Sequence, residues 1–172
     1  MSKRYNYARA ALGPRNSKPD RKKVRNATKS TYNGIKFDSK LEVYTYKKLL
    51  EAHIDDFKYA EEEYTLLEKI VYPEGCYSVS TSTKEITKDS EIIRPMKYTP
   101  DFTCVDHTNK TGWILEVKGY SNESFPLRWK LFKHSLVNNG YNITLYLPRT
   151  QATVDQVVNL IKDKYYDNTT VV

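Results

Sequence analysis

Three residues of this sequence have the types and spacing to do hydrolytic chemistry. Asp101 lies in Tyr98-Thr-Pro-Asp-Phe102, and Glu116 and Lys118 lie in Trp113-Ile-Leu-Glu-Val-Lys118. Side chains alternate across a strand, so Trp113, Leu115 and Val117 face one way while Ile114, Glu116 and Lys118 face the other. An antiparallel partner carrying Asp101 brings a second carboxylate beside Glu116. Two such carboxylates repel, and a divalent cation between them relieves the repulsion. Hard oxygen donors without Cys or His suit Mg2+, with Mn2+ as a substitute, and such an ion lowers the pKa of a water for attack on phosphorus. Lys118 is then placed to orient that water or to stabilise developing negative charge. The alternative for Glu-x-Lys alone is a surface salt bridge, and the Pro-Asp pair upstream is what weighs against it.

The elements that must position these residues can be read coarsely. A helix starts near Ser39 and runs to about His53, followed by a polar strand from about Lys58 to Val71. Pro73 to Asp89 is Ser/Thr-rich and reads as a loop with room for a short strand. Strands follow over about Lys97–Asp106 and Trp113–Gly119, joined by a turn at 107–112 whose Asn and Gly suit a hairpin. Pro126 opens the next helix, which reaches about Asn138 and is capped by Gly140. Asn142–Leu147 is a strand stopped by Pro148. Thr153-Val-Asp-Gln156 has the form of a capping box and opens a last helix with Val154, Val157, Val158 and Ile161 on its buried side. The order helix, three strands, helix, strand, helix predicts an α/β (α+β) fold, a mixed sheet with helices packed on it.

At 172 residues the chain has room for one domain and a tail. The net charge of +7 is uneven: residues 1–30 carry +9 and residues 31–172 carry −2. The tail, with Arg15 and the cluster Arg21-Lys22-Lys23-Val24-Arg25, has too few apolar groups to offset chain entropy and reads as disordered when free. Such an arm binds phosphate backbones by counterion release, unless it only keeps the protein soluble. Lys130, Lys133 and His134 at i, i+3 and i+4 form a basic helix face, a phosphate contact or an ordinary solvated face. His53, His107 and His134 have no metal-site spacing and read as surface groups, and Glu61-Glu-Glu63 as a solvated strand edge. No segment is apolar enough to span a bilayer, and Met1-Ser-Lys-Arg-Tyr lacks the apolar stretch of a signal peptide. Cys76 and Cys104 read as free thiols of a reducing, cytoplasmic compartment.

Pro100-Asp101 followed by Glu116-Val117-Lys118 resembles the PD-(D/E)xK nuclease signature, and the element order resembles the restriction-endonuclease-like core. The likeness extends to the phage endonuclease I family of Holliday junction resolvases, through Ser39-Lys-Leu-Glu42, the polar strand, Tyr98–Phe102, Glu116–Gly119 and the basic helix Glu123–Lys133 after a basic N-terminus. It covers about residues 34–148, and the Pro73–Arg94 segment departs from it. The resemblance implies a Mg2+-dependent DNA endonuclease in domain 31–172, most of all a junction-resolving one. It implies that Asp101 and Glu116 hold metal with the Val117 carbonyl, that Lys118 serves the water, and that Glu42 completes the site. Glu42 has a rival role as the reciprocal member of a capping box with Ser39, although it falls on the stripe of Tyr46, Leu49 and Leu50 that faces the core. A two-fold homodimer follows from the same analogy, since a four-way junction takes two paired cuts. The alternatives are a sequence-specific restriction- or homing-type nuclease, and a non-catalytic DNA-binding protein on the same fold. The latter has no need of clustered carboxylates beside polyanionic DNA.

Overall fold

In the computed structural model, residues 29–89, 91–119 and 123–167 are described. The chain opens with a hairpin, β1 (Ser30–Tyr32) and β2 (Ile35–Phe37), turned at Asn33-Gly34, where both residues have positive φ. Asn-Gly is the preferred pair for a two-residue turn of that hand. This hairpin was not expected from sequence. Helix α1 (Lys40–Glu51) follows, with Ser39 as N-cap accepting from the Glu42 amide at 3.1 Å.

The expected polar strand is three short ones: β3 (Lys58–Tyr59), β4 (Tyr64–Leu67) and β5 (Ile70–Val71). The break after Tyr59 falls at Ala60, which has φ +50 and leaves the sheet. The expected loop at 73–89 contains a ribbon of β6 (Tyr77–Val79) and β7 (Ile86–Lys88), and β8 (Ile92–Ile93) and β9 (Met96–Tyr98) return along β5 and β4. Residues 64–98 therefore form one long antiparallel arm.

The expected strand 97–106 is likewise divided at Pro100, which has no amide to donate to a ladder. Its first part is β9 of the arm and its second is β10 (Phe102–Asp106) in the central sheet. Next come β11 (Thr111–Leu115), α2 (Phe125–Asn138), β12 (Asn142–Tyr146) and α3 (Gln151–Tyr165). The last helix is capped by Thr150, with Thr153 at the third helical position completing the box, one turn earlier than expected. The side-chain hydroxyl of Thr153 accepts from the Thr150 amide at 2.9 Å, so a second threonine does the work usually left to Glu.

The central sheet has the order β12-β11-β10-β3, with β11 parallel to β12 and the other pairs antiparallel. Leaving the arm aside, α1–β3–β10–β11–α2–β12–α3 is the helix, three strands, helix, strand, helix expected for a mixed α+β fold. The alternation read from sequence holds. Trp113, Leu115 and Val117 pack with Leu49, Val154 and Ile161 on the face covered by α1 and α3, while Ile114 packs with Phe125, Phe132 and Leu136 under α2. The β10–β11 turn depends on Gly112, at φ +133, where an added Cβ would lie 2.1 Å from the Cys104 carbonyl oxygen. Among the described residues no helix is long and apolar enough to cross a membrane.

Candidate functional site

The β10–β11 register pairs Phe102 with Leu115, which puts Asp101 and Glu116 next to one another just past the ladder. β11 ends formally at Leu115, yet the chain stays extended beside β12: the Glu116 and Lys118 amides donate to the carbonyls of Tyr146 and Pro148, each at 3.0 Å. The Val117 amide points the opposite way, toward the start of β10. There the Asp101 side chain substitutes for a backbone carbonyl, its Oδ2 accepting from Val117 at 2.7 Å. One carboxylate thus holds the Glu116–Lys118 stretch straight, which keeps Glu116 and Lys118 on the α2 face.

Glu116 is 4% exposed. Lys118 Nζ stands 3.5 Å from its Oε1 and 4.9 Å from the centre of the Phe125 ring. The salt bridge that could explain Glu-x-Lys without catalysis is therefore present, but it serves one oxygen only. Glu116 Oε2 and the Tyr98 hydroxyl are both buried without a close hydrogen-bond partner among the described residues, and each lies near enough to feel the other. Burial raises the pKa of Glu116 against the pull of Lys118. Asp101 is pushed well above the ordinary carboxylate range by burial, then by the charges of Glu116 and Glu42. Burial and the charge of Glu116 also raise the Tyr98 hydroxyl. Asp101 thus feels the charges of two other carboxylates, and Lys118 only partly offsets them.

Glu42, 6% exposed, sits on the buried stripe of α1. Its Oε2 accepts from the Asp38 amide at 3.0 Å and from the Tyr59 hydroxyl at 2.6 Å. The capping role therefore exists, displaced by one residue from the standard box, and a carboxylate–tyrosine contact accompanies it. Burial and Glu42 together raise the Tyr59 hydroxyl, and Asp101 adds to the effect. We expect Glu42→Gln, which can still accept from Asp38 and Tyr59, to change the melting temperature little and to lower cleavage sharply. Retained activity with a lower melting temperature would reduce Glu42 to a helix cap.

Among the described residues no group of three or more His, Cys, Asp or Glu side chains converges as a ready metal cage. The donor set at the sheet end is Asp101, Glu116 and nearby backbone, with Glu42 contributing field. A hard cation that retains several waters and takes one or two carboxylates fits that set, and the orphaned Glu116 oxygen and the raised Asp101 pKa are what such an ion would satisfy.

Lys130 and Lys133 are both exposed on α2. A basic residue of that helix that the sequence reading missed, Arg128, lies against Tyr98. Its guanidinium lies 5.5 Å from the centre of the Tyr98 ring and donates to the Lys97 carbonyl at 2.9 Å. Arg15, Arg21, Lys22, Lys23 and Arg25, and the disorder expected of the tail, lie outside the described residues. Tyr59 and Tyr98 were also missed as site residues. Their signal was available in part, since each is a tyrosine at the end of a strand that leads into the site.

One other expectation is corrected. Glu62 is not part of a solvated edge: its carboxylate takes Lys58 at 2.8 Å, Tyr64 at 2.9 Å and His107 at 3.2 Å. His107 in turn shares a hydrogen bond of 3.0 Å with Tyr141, so it ties the β10–β11 turn to the root of the arm. These bonds hold the Glu62 carboxyl below the usual range despite its burial. A concavity lined by Lys48, Glu51, Asp155 and Lys162 lies between α1 and α3, on the opposite face of the sheet from Glu116, and holds none of these residues.

The fold and site define a mixed α+β domain with a carboxylate–lysine cluster at the end of its central sheet. The profile of the family described as "Protein of unknown function (DUF1064)" matches residues 21–145, and the chain belongs to that family. The match spans both carboxylates, Lys118 and the whole arm, and ends inside β12, leaving α3 beyond it. No curated protein and no solved structure matches the chain.

Proposed function

We propose that this protein is a Mg2+-dependent DNA endonuclease of the PD-(D/E)xK type. The observation that carries the reading is the pair Asp101, half-buried, and Glu116, buried, at a sheet end with Lys118 beside them and one Glu116 oxygen without a close hydrogen-bond partner among the described residues. Asp101 and Glu116 would hold the metal, with the Val117 carbonyl and Glu42 in support. When bound, the ion lowers the pKa of water and offsets charge on the phosphodiester. Lys118 orients the attacking water and stabilises the charge that grows on phosphate oxygens. The new bond joins the water oxygen to phosphorus, one ester P–O bond breaks, and the departing sugar oxygen takes a proton. Arg128, Lys130, Lys133 and the basic residues of the tail contact the phosphate backbone, and a two-fold homodimer provides paired cuts on a four-way junction. The protein acts in a reducing cytoplasm, where Cys76 and Cys104 stay thiols.

The test offers purified protein with Mg2+ a four-way junction, linear duplex, supercoiled plasmid and single strands in parallel. Paired cuts in the junction, with little on duplex, are expected. Cutting of duplex at fixed sites would replace junction resolution with sequence-specific cleavage, and tight binding with no cut in any substrate would leave a DNA-binding protein.

A further inference from the structure

Tyr98 is a buried group that the reaction above does not use. The residue is 4% exposed, and its hydroxyl has no close hydrogen-bond partner among the described residues. A buried hydroxyl that donates to nothing is costly, and native folds rarely keep one. The ring is fixed from several sides. It stacks on Phe132 with centroids 4.6 Å apart and planes 24° apart, Trp129 stands 6.0 Å away, and the Arg128 guanidinium lies over it at 5.5 Å. As the last residue of β9, Tyr98 is also held by its pairing with Tyr64. Its hydroxyl is therefore not free to swing out to solvent.

The neighbours of that hydroxyl sort by hydrogen-bonding role. A tyrosine brings one donor and needs an acceptor. Arg128 offers none, being a donor only, and its guanidinium already serves the Lys97 carbonyl. Asp101 gives its Oδ2 to the Val117 amide. Glu116 Oε2 is an acceptor, is buried, and equally lacks a close partner. Tyr98 packs with Ile114 and Phe125; Glu116 and Lys118 share the face of Ile114, and Lys118 reaches over the Phe125 ring, so the two orphans occupy one side of the sheet. After burial, the charge of Glu116 does most to raise the Tyr98 hydroxyl. Against the rise that burial imposes on Glu116, Lys118 and then Tyr98 act to lower it.

We propose that Tyr98 is the positioning residue of Glu116: its hydroxyl donates to Oε2 while Lys118 holds Oε1, so both carboxylate oxygens are oriented by the protein. The ring stays still, and the longer, flexible side chain of Glu116 adjusts to it. Carboxylates that ligate a metal are commonly held by such a second hydrogen bond, and losing it weakens the metal. That consequence rests on the metal site proposed above; the bond between Tyr98 and Glu116 does not.

Thermal unfolding of the full chain in chelator, run as a double-mutant cycle, is the first test. Tyr98→Phe removes only the hydroxyl and keeps the stack on Phe132. In the wild-type background it lowers the melting temperature by on the order of 5 °C, as expected for a lost hydrogen bond to a charged group. In Glu116→Met, where no acceptor remains, the same change leaves the melting temperature unchanged or raises it. The second test is calorimetric titration with Mg2+ in the absence of DNA, where Tyr98→Phe weakens binding about tenfold or more. Tyr64→Phe is the control, because Tyr64 pairs with Tyr98 and contacts Phe132 but donates to Glu62 at 2.9 Å. It lowers the melting temperature and leaves Mg2+ affinity unchanged. Equal shifts by Tyr98→Phe in the two backgrounds would overturn the proposal. So would a Tyr98→Phe protein that binds Mg2+ as tightly as wild type, and this arm carries the test if Glu116→Met does not fold. Coupling in a protein that cuts no DNA would overturn only the nuclease reading, and cleavage without coupling would overturn only this one.

Discussion

Glu116→Gln loses cleavage by on the order of 1,000-fold or more and binds DNA at least as tightly as the wild type. The buried carboxylate gives one oxygen to Lys118 and leaves the other without a close hydrogen-bond partner among the described residues, so the substitution removes a buried charge whose one ion pair is with Lys118. Removing negative charge near phosphate favours binding even as turnover is lost. Asp101→Asn should behave alike, because the amide oxygen of Asn can still accept from the Val117 amide and keep the strand straight. The measurements are single-turnover cleavage and binding on the same junction. Cleavage by Glu116→Gln within tenfold of wild type would remove the carboxylate pair from the chemistry.

The second large effect is on stability in the absence of metal. Asp101 titrates well above its ordinary value in the folded chain, for burial and neighbouring carboxylates oppose its ionisation. Below the unfolded value, about 3.9, both states hold the proton and nothing is lost. As pH rises past it, the unfolded state releases the proton and the folded state keeps it, so stability falls until the folded group also ionises. The slope is at most about 1.4 kcal/mol per pH unit for one group. In chelator, wild type should therefore lose melting temperature between about pH 4 and neutrality relative to Asp101→Asn, and Mg2+ should recover most of the loss for wild type alone. Parallel curves for the two proteins, with and without Mg2+, would show that no strain is stored at this pair.

The parts of the molecule legible in sequence are those fixed by short-range rules. Ser39 capped α1, Pro126 opened α2, and the two-residue period of Trp113–Lys118 placed Glu116 and Lys118 on one face. Asp101 could be set beside Glu116 because a short turn at 107–110 leaves the hairpin register little freedom. The Asn33-Gly34 hairpin was equally readable and was passed over. The arm was not legible, since its strands are two to four residues long and β4 and β5 are held by pairing with segments far along the chain. Glu62 misled for the same reason: its partner His107 is distant in sequence, and a run of three glutamates carries no hint that the middle one is sequestered. For α3, Thr150 and Thr153 competed as caps, and the earlier one won directly after the strand-ending Pro148.

The arm's attachment has an evolutionary consequence. The chain departs the central sheet at Ala60 and re-enters at Asp101, and the Ala60 amide donates to the Asp101 carbonyl at 2.8 Å, closing the whole excursion like a clasp. Closing a longer loop costs only logarithmically more entropy, about 0.6 kcal/mol per doubling. Segments inserted beyond the clasp can therefore be lengthened, shortened or exchanged at little thermodynamic penalty, while the residue at its far side keeps its carboxylate beside Glu116. Such a layout lets the outer arm change length or sequence without moving the carboxylate–lysine cluster.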